Sequence, residues 1–137
     1  DEAHAPMSVT MTLNDDFDIS RGDMIVRENN QPRILKEIEL MVCWLDENPL
    51  IEKGKYTVKH TSKEVRGIIK KILYKIDINT LHRNVEDRKI NCNDIARITI
   101  KLSQPLLVDK YNDNRSTGSL IIIDENTNNT VGAGMII

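Results

Sequence analysis

The sequence predicts an all-β domain, a sandwich or a closed barrel of six or seven strands lying beyond a polar linker near residue 30. Three observations predict it. Apolar and polar residues alternate through Lys36–Leu45 and Ala96–Leu102, the period-2 signature of half-buried strands. Leu120–Ile123 is a continuous apolar run, long enough for a buried strand and short for a helix. The runs are separated by turn-forming residues at the intervals usual in sandwiches and barrels.

The elements follow in order. Residues 1–6 are polar and end at Pro6. In Ser8–Leu13, Val9, Met11 and Leu13 alternate with Ser8, Thr10 and Thr12, which reads as a half-buried strand. Asn14–Asp23 is a polar turn, and Met24–Val26 begins a second short strand. Glu28–Arg33 is a polar linker, and the domain boundary falls there, giving segments 1–30 and 31–137. Beyond it, Ile38, Leu40, Val42 and Trp44 share one side of a strand, with Glu37, Glu39, Met41 and Cys43 on the other. Asp46–Pro49 is a turn. Gly54 opens a strand on which Tyr56 and Val58 face the same way.

Residues 65–76 read two ways. Val65, Ile68, Ile69, Ile72, Leu73 and Ile76 recur at helical spacing, which favours an amphipathic helix. Gly67 and the β-branched isoleucines argue for a strand. Leu81–Asn93 reads as a long polar loop with room for a short helical turn. Ala96, Ile98, Ile100 and Leu102 form one face of a strand, and Pro105 marks an edge or a strand end. Glu125–Asn129 is an Asn-rich loop that tolerates left-handed backbone. In the closing strand, Val131, Ala133 and Met135 share one face and Gly132 and Gly134 the other. Two glycines on one face imply close approach or a barrel corner.

At 137 residues the chain is long enough to bury a sizeable core. Hydrophobic residues make up 39% and charged residues 29%, a globular balance, while aromatics at 4% leave the core to aliphatic side chains. A net charge of -2 and a pI near 5.9 weigh against a nucleic-acid module, though not against a local basic patch. Cys43 and Cys92 lie in unlike surroundings and read as free thiols of a reducing compartment. No run approaches the roughly 18 apolar residues of a membrane helix, and no secretory signal is legible.

Catalytic signatures are sought and not found. The phosphate-cradling pattern G-x-x-x-x-G-K-[ST] is absent. Asp16, Asp18 and Ser20 fit the first ligand positions of a calcium loop, but Arg21 and Arg27 stand where its glycine and closing glutamate belong, so a solvated turn is expected. His4, His60 and His82 are scattered, show no close ligand spacing with the cysteines, and accompany no nucleophile elbow. Neither a catalytic, a cofactor nor a metal residue is assigned. Lys63, Arg66, Lys70, Lys71 and Lys75 form the densest basic run, either a solvated face or a contact for phosphate or a partner. Asn114 and Arg115 sit among turn formers. Arginine there either clamps its own loop or holds a neighbouring domain or subunit.

The stretch NRSTGSLIIIDENTNNTVGAGMI, with Tyr111, Asn114, Arg115, Thr117, Gly118 and Asp124 at these spacings, resembles the end of the large, GTPase subunit of bacterial sulfate adenylyltransferase. DDFDISRGDMIV likewise resembles the last hairpin of that subunit's middle barrel. The resemblance implies a closed or nearly closed antiparallel Greek-key barrel like the third domain of elongation factor Tu, preceded by a hairpin of the middle barrel, and implies a strand at 65–76. It implies a parent that couples GTP hydrolysis to synthesis of adenosine 5′-phosphosulfate from ATP and sulfate, with GTP and Mg in an N-terminal domain and ATP in the small, catalytic subunit. In some relatives an adenylylsulfate kinase follows the closing strand. This segment is then expected to be an inactive cytoplasmic scaffold with no cofactor of its own. Its partners would be the small subunit and the parent's GTPase domain, with Tyr111, Asn114 and Arg115 as candidate contacts. The alternative is the equivalent barrel of a translation GTPase, contacting an RNA-linked ligand.

Overall fold

The computed structural model describes residues 2–137. Seven strands form: β1 (Arg33–Trp44), β2 (Lys55–His60), β3 (Lys63–Ile76), β4 (Arg83–Asn84), β5 (Ile95–Val108), β6 (Ser119–Ile123) and β7 (Thr130–Ile136). Every pairing is antiparallel, in the order β2-β6-β7-β1-β5-β3-β4. β2 also pairs with β3, so six strands close into a barrel and β4 hangs on the end of β3. Closure leaves no long free edge among those six strands. No helix forms among the described residues.

The alternating runs point as their period dictates. Ile38, Leu40, Val42 and Trp44 of β1 face Ala96, Ile98, Ile100 and Leu102 of β5, and all are buried. Tyr56, Val58, Val65, Ile69, Ile72, Leu120, Ile122, Val131 and Ile136 complete an interior that is almost wholly aliphatic. Trp44 and Tyr56 meet edge to face, 5.6 Å apart at 79°, and the Trp44 indole N–H donates to the Asn48 carbonyl at 2.7 Å. Gly132 and Gly134 lie inward against Trp44 and Leu40. A Cβ on Gly134 would stand 2.5 Å from Leu40 Cδ1, so side chains of the facing strand fill the space that the glycines leave.

Residues 65–76 are strand. The register of β3 against β5 slips twice, between Ile69 and Lys71 and between Ile72 and Tyr74. Each bulge inserts one residue, so inward-facing Ile69 and Ile72 end up three apart. Bulges on a strand thus reproduced the spacing of a helix.

Other expectations are corrected. Pro105 lies inside β5, not at its end, on a stretch that pairs with β1 alone because the register with β3 stops at Gly67↔Leu102. The pairing with β1 jumps from Leu35↔Leu106 to Glu37↔Lys101, and Pro105 sits in that irregularity, where no ladder donor is needed. Val131 turns inward with the glycines, because a bulge opposite Ile122 and Ile123 breaks the alternation, and only Ala133 and Met135 stay outside. The loop 81–93 carries the two-residue β4 and no helical turn.

The strands expected at Ser8–Leu13 and Met24–Val26 do not form. Residues 2–32 are irregular, and Val9, Met11, Leu13, Phe17, Ile19 and Ile25 are exposed. A strand is held by its ladder, and no strand among the described residues pairs with this segment.

Candidate contact site

The connection from β5 to β6, residues 109–118, holds Tyr111, Asn114 and Arg115. It is wound tightly on its own hydrogen bonds. The Asn114 amide donates to the Lys110 carbonyl at 3.0 Å, and the Gly118 amide to the Asn114 carbonyl at 2.8 Å. The Asn114 side-chain oxygen accepts from the Ser116 amide at 3.0 Å, the short-range bonding that makes asparagine a turn former. Gly118 is required by contact: a Cβ there would lie 2.4 Å from Tyr111 Cα and 2.6 Å from the Asn114 carbonyl oxygen.

Three hydrogen bonds fasten this loop to the barrel, two to Ile136 of β7 and one to His60 of β2. The Tyr111 amide donates to the Ile136 carbonyl, and the Ile136 amide to the Gly118 carbonyl, at 2.9 and 2.8 Å. Within the loop, the Thr117 hydroxyl donates to Asp109 at 2.6 Å. His60, a buried polar side chain at the end of β2, points Nε2 at the Thr117 carbonyl, 2.7 Å away, so that nitrogen donates. Sequence reasoning left His60 unassigned. The inward phase of Tyr56 and Val58, two positions apart, was the signal that could have found it.

The three candidate residues share a loop but not a direction. Asn114 lines a shallow groove with Met24, Val26 and Pro32, beside the irregular N-terminal segment. Tyr111 lines a larger, mostly apolar groove of about 550 Å³ outside β1, β6 and β7, with Cys43, Ile121, Ala133 and Met135. Arg115 is exposed and lines neither groove; its guanidinium is 5.9 Å from the centre of the Tyr111 ring, and it makes no ion pair among the described residues. The loop is thus clamped by backbone bonds and by His60, leaving the Arg115 side chain free to meet something else.

The neighbouring loop at Asp124 is held similarly. Amides of Thr127 and Asn126 donate to the Asp124 carboxylate and keep it below its usual pKa, since they favour the charged form. Cys43 and Cys92 are not bridged. Three of the five cations in the basic run are taken up in separate ion pairs. Lys70 bonds Glu37 at 2.7 Å, Lys75 bonds Asp94 at 2.7 Å, and Arg66 lies 3.5 Å from Glu125. In the Asp15–Asp23 turn the Ser20 amide donates to Asp23, and no described group of three or more acidic, histidine or cysteine residues is placed to hold a metal.

Residues 37–137 match the model of the GTP-eEF1A C-terminal domain-like family. The chain belongs to that family. The barrel agrees with it, superposing on the structure of sup35 complexed with GDP with a TM-score of 0.70 over 80% of this chain and 27% of that one, at 14% identity, a likeness of fold. Among curated relatives, the bifunctional enzyme CysN/CysC of Mycobacterium tuberculosis (strain CDC 1551 / Oshkosh) is 48% identical over 99% of this chain and 22% of its own length. Sulfate adenylyltransferase subunit 1 of Sulfurovum sp. (strain NBC37-1) is 48% identical over 98% of this chain and 28% of its own length. The chain therefore spans less than a third of these relatives.

Proposed function

We propose that this chain is the C-terminal part of the large subunit of a cytoplasmic sulfate adenylyltransferase, and that its barrel is a non-catalytic contact module. The observation that carries the reading is 48% identity to a sulfate adenylyltransferase subunit 1 along essentially the whole chain. In this reading the complete protein couples GTP hydrolysis to formation of adenosine 5′-phosphosulfate, and the small subunit supplies that chemistry. GTP and Mg would be held outside this chain, which has no phosphate-cradling loop to fit them. Residues 1–30 belong to the preceding barrel and 31–137 form the last one. The unburied alternation of Val9, Met11 and Leu13 supports that division, as a strand would bury one face once its ladder partners are present. Asn114 faces that first segment and serves the interdomain side. Tyr111 lines the apolar groove with Arg115 beside its ring, and the two serve the small subunit.

The test is calorimetry of this chain with purified small subunit, with and without Arg115→Ala. Binding that weakens about tenfold in the variant supports the docking role, as expected for an arginine anchor beside an aromatic ring. No binding by a folded chain would assign the contact to other parts of the large subunit and return Arg115 to its own loop.

A further inference from the structure

We propose that the outer face of β2, β3 and β5 is a second docking surface, which takes an acidic polypeptide segment with an apolar side chain between its carboxylates. The site is a groove of about 530 Å³ lined by Lys36, Lys55, Arg66, Ile68, Lys101 and Glu125, with Gly67 and Leu102 in its floor. Strand register builds it. Lys55 of β2 lies opposite Ile68 of β3, and Ile68 opposite Lys101 of β5. Two cations therefore flank one apolar residue across three adjacent strands, about 10 Å apart at two strand spacings.

The charge is unbalanced there. Four cations face one carboxylate, in a chain whose net charge is -2. Glu125 is taken by Arg66 at 3.5 Å. Lys36, Lys55 and Lys101 are exposed and form no ion pair among the described residues. This patch is distinct from the basic run in the sequence, of which it uses Arg66 alone. Between the cations, Ile68 is 41% exposed, an apolar floor inside a charged rim.

That arrangement fits an acidic protein segment better than nucleic acid. No aromatic side chain lines the groove to stack a base, and four cations on an acidic chain fall short of the basic stripe that follows a phosphate backbone. Carboxylates would pair with Lys55 and Lys101 while an apolar side chain between them covers Ile68. Opposed charges would also orient the approach.

The probe is a fluorescein-labelled peptide of residues 14–20, which carries Asp15, Asp16 and Asp18 around Phe17 and so has the required chemistry. Its anisotropy is followed on adding the whole chain. Saturable binding is expected, weakening at least about tenfold when salt rises from about 50 to about 500 mM. A comparable loss is expected in the Lys55→Glu, Lys101→Glu double variant, whose side chains bond nothing in the fold and whose structure is checked by circular dichroism. Arg88→Glu, an exposed charge reversal on the 81–93 loop, is expected to bind like the parent, and so is Arg115→Ala, which separates this face from the 109–118 loop. The proposal is overturned if the folded chain does not bind the peptide, or if Arg88→Glu weakens binding as much as the double variant. It is also overturned if a labelled (dT)20 binds more tightly and is lost in the same double variant, which would make the groove a nucleic-acid site.

Discussion

Replacing Gly118 by alanine tests how the 109–118 loop is held. Gly118 has no positive φ, so alanine meets no backbone strain there. On conformational entropy alone the substitution would stabilise the fold by about 0.4–1 kcal/mol. Contact reverses that sign. The new methyl would lie 2.4 Å from Tyr111 Cα and 2.5 Å from Tyr111 N, where ordinary contact begins at 3.4 Å. The obstructing atoms are backbone, so the loop must shift by about 1 Å rather than turn a side chain aside. Three hydrogen bonds stand in the way of that shift: Gly118 to Asn114, Ile136 to Gly118 and Tyr111 to Ile136. At about 1 kcal/mol each, and less the entropic gain, the expected loss is about 2 kcal/mol. With a urea slope of about 2 kcal/mol/M, the midpoint falls by about 1 M. Trp44 is the sole tryptophan and is buried in the core, so its fluorescence reports the transition. An unchanged or raised midpoint would refute the reasoning, since it would mean that the loop moves freely and is not clamped.

Two further outcomes follow from other hydrogen bonds of the loops. His60→Ala removes the donor to the Thr117 carbonyl and leaves a cavity at the end of β2, so a loss of about 2–4 kcal/mol is expected. Amide exchange should quicken across 109–118 while β5 stays protected, and uniform quickening would count against a local clamp. Asp124, Asp77 and Asp87 all have lowered pKa values. Amides of Thr127, of Asn79 and of Lys89 respectively are the leading cause, each favouring the charged carboxylate. A lowered native pKa gives stability that is present above the unfolded value, about 3.9, and is lost as pH falls through the native one. Thermal scans should therefore hold level at mildly acid pH and drop on descending through the carboxylate range. Asp124→Asn should flatten part of that drop.

Much of the interior was legible because a strand with one wet face must alternate. Ile38, Leu40, Val42 and Trp44, and Ala96, Ile98, Ile100 and Leu102, could be assigned to the core from period alone. The same rule misplaced Val131 and left 65–76 divided between helix and strand. In both cases a bulge adds one residue, and period-2 reasoning has no local sign of where a ladder will slip. Pro105 pointed correctly to a position without a ladder donor, but a bulge inside a long strand supplies one as well as an edge does. Of the candidate contacts, the compact turn at Asn114 was legible in its asparagine and glycine chemistry. The role of His60 was not, since its acceptor at Thr117 lies 57 residues away.

By itself the sequence determined the regularly alternating barrel strands, the aliphatic core and the absence of a phosphate-cradling loop, because these rest on residue type and near-neighbour spacing. Its resemblance to sulfate adenylyltransferase large subunits also stood on short spans, NRSTGSLIIIDENTNNTVGAGMI above all. Only the tertiary structure decided which cations share a surface. Lys63, Arg66, Lys70 and Lys75 are neighbours in sequence, yet Lys70 and Lys75 are spent on Glu37 and Asp94. Lys36, Lys55 and Lys101, far apart in the chain, gather around Ile68. The physical reason is barrel closure: cross-strand register sets side-chain neighbours a few ångströms apart whatever their separation in sequence.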